Sequence, residues 1–431
     1  MELSVAVLVV SFVVLLILDI PIAFCIGIST ILTMLVTISP APAVTTVAER
    51  MASGIDSFAL LAIPFFILSG QLMGRGGIAR RLIDLAKVFV GALPGGLAYV
   101  NIFAAMFFGS ISGSAVAATS AIGGFMIPLM NKEGYDKNFS AAVNVTSSTV
   151  GLLIPPSNIL IVYSLASGGV SIAALFIAGY VPGILVGLLL MLVAGIISKR
   201  RHYPVGERVR LSESLLIFLR AVPSLLLVII VIGGIIAGIF TATEASAIAV
   251  IYSFFLAVPI YKEVKWSELP SVLLDTVNTT AIVMLLIGTS MAMSWILSYE
   301  NIPQNISIAL VSLTHSKVMI FLIINLILLI VGTFMDMTPA VLIFTPIFLP
   351  IATKLGMHPI QFGIMMVLNL TIGLCTPPVG SVLFVGCGIA KTTIAEITKP
   401  LLPLFVAMIL ALLLVTYIPG LSLWLPHLFG Y

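Results

Sequence analysis

The chain has 431 residues, 61% of them hydrophobic and only 8% charged, with a formal net charge of +3. A soluble domain carries about 25% charged residues, so this composition excludes a soluble fold and leaves one membrane unit with no soluble domain attached. The small positive excess does not point to nucleic acid; the partner that composition implies is the lipid bilayer.

Apolar runs of about the 18–20 residues that a bilayer core demands recur along the chain. The first, residues 3–20, lacks the basic region and small-residue cleavage site of a signal peptide and reads as a retained span. Further spans are predicted near 22–38, 57–74, 138–165, 172–198, 221–239, 243–260, 277–298, 361–390 and 401–418. Two stretches, about 91–130 and 318–352, are too long and too broken for one span and carry Gly, Pro and polar residues in their middle. Both are predicted as re-entrant hairpins that enter and leave on one side. Lys199–Arg220, the longest polar stretch, is too short to fold alone. Cys25, Cys375 and Cys387 lie in apolar segments and read as small core residues, with neither a disulfide nor a metal site.

Charge tests this topology. With the N-terminus outside, the inner loops hold Arg75, Arg80, Arg81, Lys87, Lys132, Lys137, Lys199, Arg200, Arg201, Arg208, Arg210, Arg220, Lys262, Lys265, Lys391 and Lys399. The outside keeps Arg50, Lys317 and Lys354. That places 16 of the 19 basic residues on one side, as the positive-inside rule requires. Reading either hairpin as a single crossing scrambles the partition.

The fold class is therefore an all-α polytopic membrane protein in two halves, 1–210 and 211–431. Each half contains one hairpin and one broken helix, and the two run oppositely through the membrane. This is an inverted-topology repeat, the plan of many secondary transporters. A shift of 222 residues carries Pro128 onto Pro350, Gly134 onto Gly356, Gly151 onto Gly373, and Pro155 and Pro156 onto Pro377 and Pro378.

The matched breaks read Gly151-Leu-Leu-Ile-Pro-Pro-Ser-Asn158 and Gly373-Leu-Cys-Thr-Pro-Pro-Val-Gly380. Two adjacent prolines remove two amide donors and clash with the preceding turn, so no helix runs through them unbroken. The freed carbonyls need partners in lipid, and the resumed helix points a positive dipole at the same place. Such a break offers oxygens to a cation and amides to an anion. The plain alternative is a structural kink, which a repeated Pro-Pro makes less attractive. The first hairpin tip, residues 109–123, carries Ser110, Ser112, Ser114 and Thr119 among Gly and Ala. Close helix packing explains such small residues equally well when they stand alone. The second tip, residues 332–346, contains Asp336 in an apolar stretch, where a carboxylate costs about 2.5–3.5 kcal/mol. Cation coupling, a helix-cap role and a proton relay are its three readings. Asp19 and Glu244 sit at span ends, where interfacial or capping roles fit.

These residues carry a resemblance over nearly the whole chain. Ser112–Ser114, Ile154–Ser157, Gly332–Asp336 and Thr376–Gly380 resemble, in order, the motifs of the large membrane subunit of tripartite ATP-independent periplasmic (TRAP) transporters. The resemblance implies an elevator mechanism, with scaffold and transport domains interleaved across both halves. It implies Na⁺ as coupling ion, no organic cofactor, a small four-helix membrane subunit and a periplasmic substrate-binding protein. It implies a bacterial inner-membrane location with both termini periplasmic. The implied solutes are organic acids, of the C4-dicarboxylate or sialic acid class. By position, one Na⁺ site joins Ser110 and Ser112 to Thr149, Gly151 and Pro155. A second joins Gly332, Asp336 and Thr338 to Gly373, Thr376 and Pro377. Ser114, Ser157, Asn158 and Gly380 face the solute.

Other classes fare worse. An intramembrane serine protease needs a base beside its nucleophile, and His202, His315, His358 and His427 all fall in loops or near the C-terminus. An aspartyl protease needs two deep carboxylates, and Asp336 stands alone. A channel does not need two inverted halves with gated hairpins. The serious rival is a binding-protein-independent Na⁺/organic anion symporter. No ATP-binding loop is present. No deep arginine is expected to clamp a carboxylate, so recognition falls to hydroxyls, amides and Na⁺.

Overall fold

A computed structural model describes residues 2–206 and 211–431. Among them every regular element is helical, and the sole β-pairing is an isolated bridge between Pro94 and Val205. Lipid imposes this, because a helix satisfies its own backbone groups without water. Glu2–Ile17 and Ile22–Thr37 open the chain and pack on each other. Pro40–Ile55, Ala62–Arg75 and Ile78–Val90 follow. Next come a hairpin of Gly96–Ser112 and Ala115–Lys132, a broken helix of Lys137–Val150 and Asn158–Ala166, and Ile172–Arg200. The remainder runs through Leu211–Ile236, Ala242–Phe255, Leu269–Tyr299 and Ile302–Leu313. It then forms a second hairpin of Lys317–Phe334 and Met337–Lys354, a second broken helix of Pro359–Gly373 and Ser381–Ala390, and finally Ile394–Tyr417 and Gly420–Leu428.

Among the described residues, eight helical segments are long and apolar enough to cross a bilayer. Both arms of the second hairpin are among them, at 18 residues each, or about 27 Å. Length alone does not separate a hairpin arm from a crossing. Ile184, Leu188, Leu192 and Ile196 form an exposed apolar stripe on Ile172–Arg200, the surface expected where lipid is the solvent. The core lies elsewhere. Every residue from Phe139 to Val150 and from Ile360 to Gly373 is buried, so the first segments of the two broken helices are the centre of the molecule.

Four helices, Pro40–Ile55, Ile78–Val90, Ile302–Leu313 and Gly420–Leu428, fall where the sequence reading leaves loops. In Ile78–Val90, the residues Ile78, Ala79, Leu82, Ile83, Leu85 and Ala86 are buried, while Arg80, Arg81, Asp84 and Lys87 take the other face. The alternation averages to near zero in a hydropathy window, so only its helical period reveals it. Pro40–Ile55 is concealed in the same way.

Ion pairs join segments that the charge rule assigns to one side. They are Arg75–Asp275, Arg81–Glu263, Lys137–Glu396 and Arg201–Asp136. Arg208 and Arg210 lie outside the described residues. Glu244 caps its helix in a reciprocal arrangement with Thr241. All three cysteines are free and buried.

Candidate functional site

The first hairpin reverses at Gly113, whose φ of +63° is the left-handed conformation that glycine adopts without strain. Ser114 then caps the second arm by accepting a hydrogen bond from the Ala117 amide at 3.2 Å. The second hairpin turns through extended Met335 and Asp336, and Asp336 occupies the cap position without a side-chain cap bond. Its side chain is solvent-exposed, although it lies deep in the chain's apolar interior. The reason is a cavity.

Each hairpin is locked to a break by glycines. A Cβ added at Gly109 would lie 2.8 Å from the Gly151 Cα, and one at Gly373 would lie 2.6 Å from the Gly332 Cα. No side chain fits at either crossing. The contact brings Ser110 and Ser112 beside the first break, and Asp336 beside the second. Away from each crossing, along the same pair of helices, a buried asparagine pair repeats the connection. Asn144 bonds Asn101 at 3.1 Å, and Asn369 bonds Asn325 at 2.8 Å. Both breaks contain a cis peptide between their two prolines.

The hydroxyls at the breaks are donors already in use. Ser110 donates to the Phe107 carbonyl, Thr149 to Thr146 and Thr376 to Ile372, at 2.8, 2.9 and 2.7 Å. Each oxygen keeps lone pairs free for a cation. Ser148, beside Thr149, has a buried hydroxyl with no hydrogen-bond partner. With the carbonyls of the interrupted helices and Asp336, the donor set is hard oxygen throughout, which suits an alkali cation better than a transition metal.

A cavity of about 580 Å³ lies between the two breaks, within the usual range for a small-molecule site. Its wall includes Ser112, Ser114, Asn158, Asp336 and Thr338. The first residues of four helices also line it: Ala115, Asn158, Met337 and Ser381. Four N-termini aimed at one space favour a negative charge there. Ser157 and Gly380 are placed differently from the other expected solute contacts. Ser157 is buried, with its hydroxyl on the Leu152 carbonyl. Gly380 donates its amide to the Thr333 carbonyl at 3.2 Å, tying the second break to its hairpin. Neither belongs to the cavity wall.

The wall also holds residues that sequence reasoning missed. Gln71 and Arg75 line it from Ala62–Arg75, and Thr279 lines it from Leu269–Tyr299. An arginine therefore lines the cavity, from the exposed end of its helix rather than from deep in the membrane. Arg75 sits in the last turn of its helix and reads as an interfacial loop charge. The cavity extends to that turn. The available signal was the i, i+4 spacing of Gln71 and Arg75, and of Asp275 and Thr279, on otherwise apolar helices.

Polar groups gathered on broken helices around one cavity, inside an all-helical multi-pass body, define a membrane transporter. The chain belongs to a family of that class: the model of the tripartite ATP-independent periplasmic transporter, DctM component, matches residues 9–421. It is a large TRAP permease subunit. It is 57% identical over 420 residues to the uncharacterized protein YgiK of Salmonella typhimurium, covering 97% of this chain and 96% of that one. It is 42% identical over 404 residues to the C4-dicarboxylate TRAP transporter large permease protein DctM of Pseudomonas aeruginosa, covering 94% of each. The crystal structure of the Alcanivorax borkumensis YdaH transporter shares the fold, with a TM-score of 0.62 at 14% identity, covering 88% of this chain and 87% of that one.

Proposed function

We propose that this chain carries an organic acid across the bacterial inner membrane in symport with Na⁺, receiving it from a periplasmic binding protein. The observation that carries the reading is the set of four helix N-termini on one cavity, flanked by two glycine-locked crossings rich in oxygen donors. In this reading one Na⁺ sits among Ser110, Ser112, Thr149, Gly151 and Pro155. The other sits among Gly332, Asp336, Thr338, Gly373, Thr376 and Pro377. Ser114 and Asn158 meet the solute, and Ser157 and Gly380 shape the breaks behind them. The solute class is an anion such as a C4-dicarboxylate or sialic acid. Supporting it are relatives whose names include C4-dicarboxylate, sialic acid and 2,3-diketo-L-gulonate.

The two halves, 1–210 and 211–431, act as inverted repeats in an elevator. Their crossed packing supports this: Ile22–Thr37 packs on Leu269–Tyr299, and Ala242–Phe255 packs on Ala62–Arg75. The hairpins and breaks form the moving part, and the lipid-facing helices form the scaffold. A small four-helix membrane subunit completes the permease. The isethionate TRAP permease protein DctMQ of Oleidesulfovibrio alaskensis, of which this chain covers 64%, leaves length for a joined second part. The termini face the periplasm.

Reconstituted uptake tests the reading. Uptake of labelled succinate or sialic acid into proteoliposomes is expected only with an inward Na⁺ gradient and the solute-loaded cognate binding protein. Equal uptake without the binding protein would instead make the chain a simple symporter.

A further inference from the structure

Arg75 is the one cationic residue lining the cavity among the described residues, and Asp336 is the one carboxylate. The C-terminal half of helix Ala62–Arg75 packs on the first hairpin tip: a Cβ on Gly70 would lie 2.7 Å from the Ser112 carbonyl oxygen. From there the helix carries Gln71 and, one turn on at its exposed end, Arg75 on the same face. The facing wall is Leu269–Tyr299, where Asp275, Thr279 and Val283 follow at four-residue intervals; Thr279 and Val283 line the cavity. The Arg75–Asp275 ion pair therefore joins these two packed helices at the exposed edge of the cavity, its mouth, and Ser271 accepts a further hydrogen bond from Arg75 at 3.2 Å.

The pair is open to solvent, with side-chain exposures of 36% and 47%. Exposed pairs contribute little to stability, so this one exchanges readily. A guanidinium binds carboxylate, sulfonate or phosphate oxygens with the same fork geometry it offers Asp275. Asp336 works against an anion in the cavity, and a positive charge at the mouth adds to the four helix N-termini in offsetting it.

We propose that Arg75 is the anion-selecting residue of the cavity mouth, held in reserve by Asp275: an anionic solute passing the mouth takes the place of the Asp275 carboxylate on the guanidinium. This rests on the reading that the solute is an anion, but its test needs neither Na⁺ nor transport.

Ser120 lines the cavity and is exposed, and the native cysteines are buried. The full chain carrying Ser120→Cys is labelled at low ionic strength with two methanethiosulfonates, one bearing a sulfonate and one a trimethylammonium group. The unsubstituted chain serves as background. The ratio of sulfonate to ammonium rates reads the sign of charge at the mouth. Arg75→Gln is expected to lower this ratio about fivefold, and Asp275→Asn to raise it by a similar factor, as a unit charge several ångströms from the path dictates. Arg75→Lys is expected to hold the ratio within about twofold, because it keeps the charge. An unchanged ratio in Arg75→Gln or in Asp275→Asn overturns the proposal. So does an equal fall in Arg75→Gln and Arg75→Lys, which would make the pair a structural tie.

Discussion

Asp336 shows what one residue can be asked to do. Asp336 stands at the cap position of a hairpin arm without a side-chain cap bond and lines the cavity, where its carboxylate can meet a cation. A contact to a charged group is worth about 1.5–3 kcal/mol. Asp336→Asn should therefore raise the Na⁺ concentration for half-maximal uptake at least about tenfold, with a smaller change in the solute concentration for half-saturation. Flux titrated separately in Na⁺ and in solute reads both, and an unchanged Na⁺ dependence removes Asp336 from the cation site. Gly151 and Gly373 also make a steric demand, apart from any cation. Alanine at either must push two backbones apart, and overpacking of this kind costs about 1–3 kcal/mol. Gly124→Ala is the control, since its added Cβ meets nothing within 4 Å. Thermal unfolding in detergent should show a clear fall in midpoint for Gly151→Ala and Gly373→Ala, and no fall for Gly124→Ala. Equal midpoints would mean that the crossings are not tight.

Each hairpin and its break form one unit, joined by a glycine crossing and an asparagine pair. Truncating one asparagine leaves a buried amide unpaired, at a cost of about 1–3 kcal/mol. Asn144→Ala and Asn369→Ala should each lower the unfolding midpoint, while the double change Asn101→Leu/Asn144→Leu should recover part of the loss because both partners go together. Absence of any recovery would show that the pair serves something other than mutual satisfaction. At this scale the sequence told a good deal. Gly/Pro punctuation marked both breaks, and Gly, Pro and polar residues in the middle of an overlong apolar stretch marked both hairpins, because these features break the helical rule locally. It missed the asparagine pairs, since an Asn inside an apolar run has no periodic signature until its partner 43 or 44 positions away is known. It missed Ile78–Val90 because the mean hydropathy of an amphipathic helix resembles that of a loop. Arg75 was legible as a charge but not as a cavity residue, because the extent of the cavity is a property of the packed helices.

Across the whole molecule, fixed charges set the orientation and the cavity sets the task. Four ion pairs join predicted inner loops to one another, in two groups. Reporter fusions that fluoresce or fold only on one side of the membrane should place Lys199–Arg201 inside and both termini outside; a terminus inside would contradict the paired-hairpin topology. The central claim is that the glycine-locked crossings bind Na⁺ beside an anion cavity. It is tested most directly on the purified chain by its unfolding temperature in NaCl and in KCl at equal ionic strength. A ligand bound only by the folded state stabilises it by mass action, by about 2.7 kcal/mol at one hundred times its dissociation constant. The account predicts a midpoint that rises with Na⁺, rises much less with K⁺, and loses part of that difference in Asp336→Asn. The same rise in both salts would contradict it.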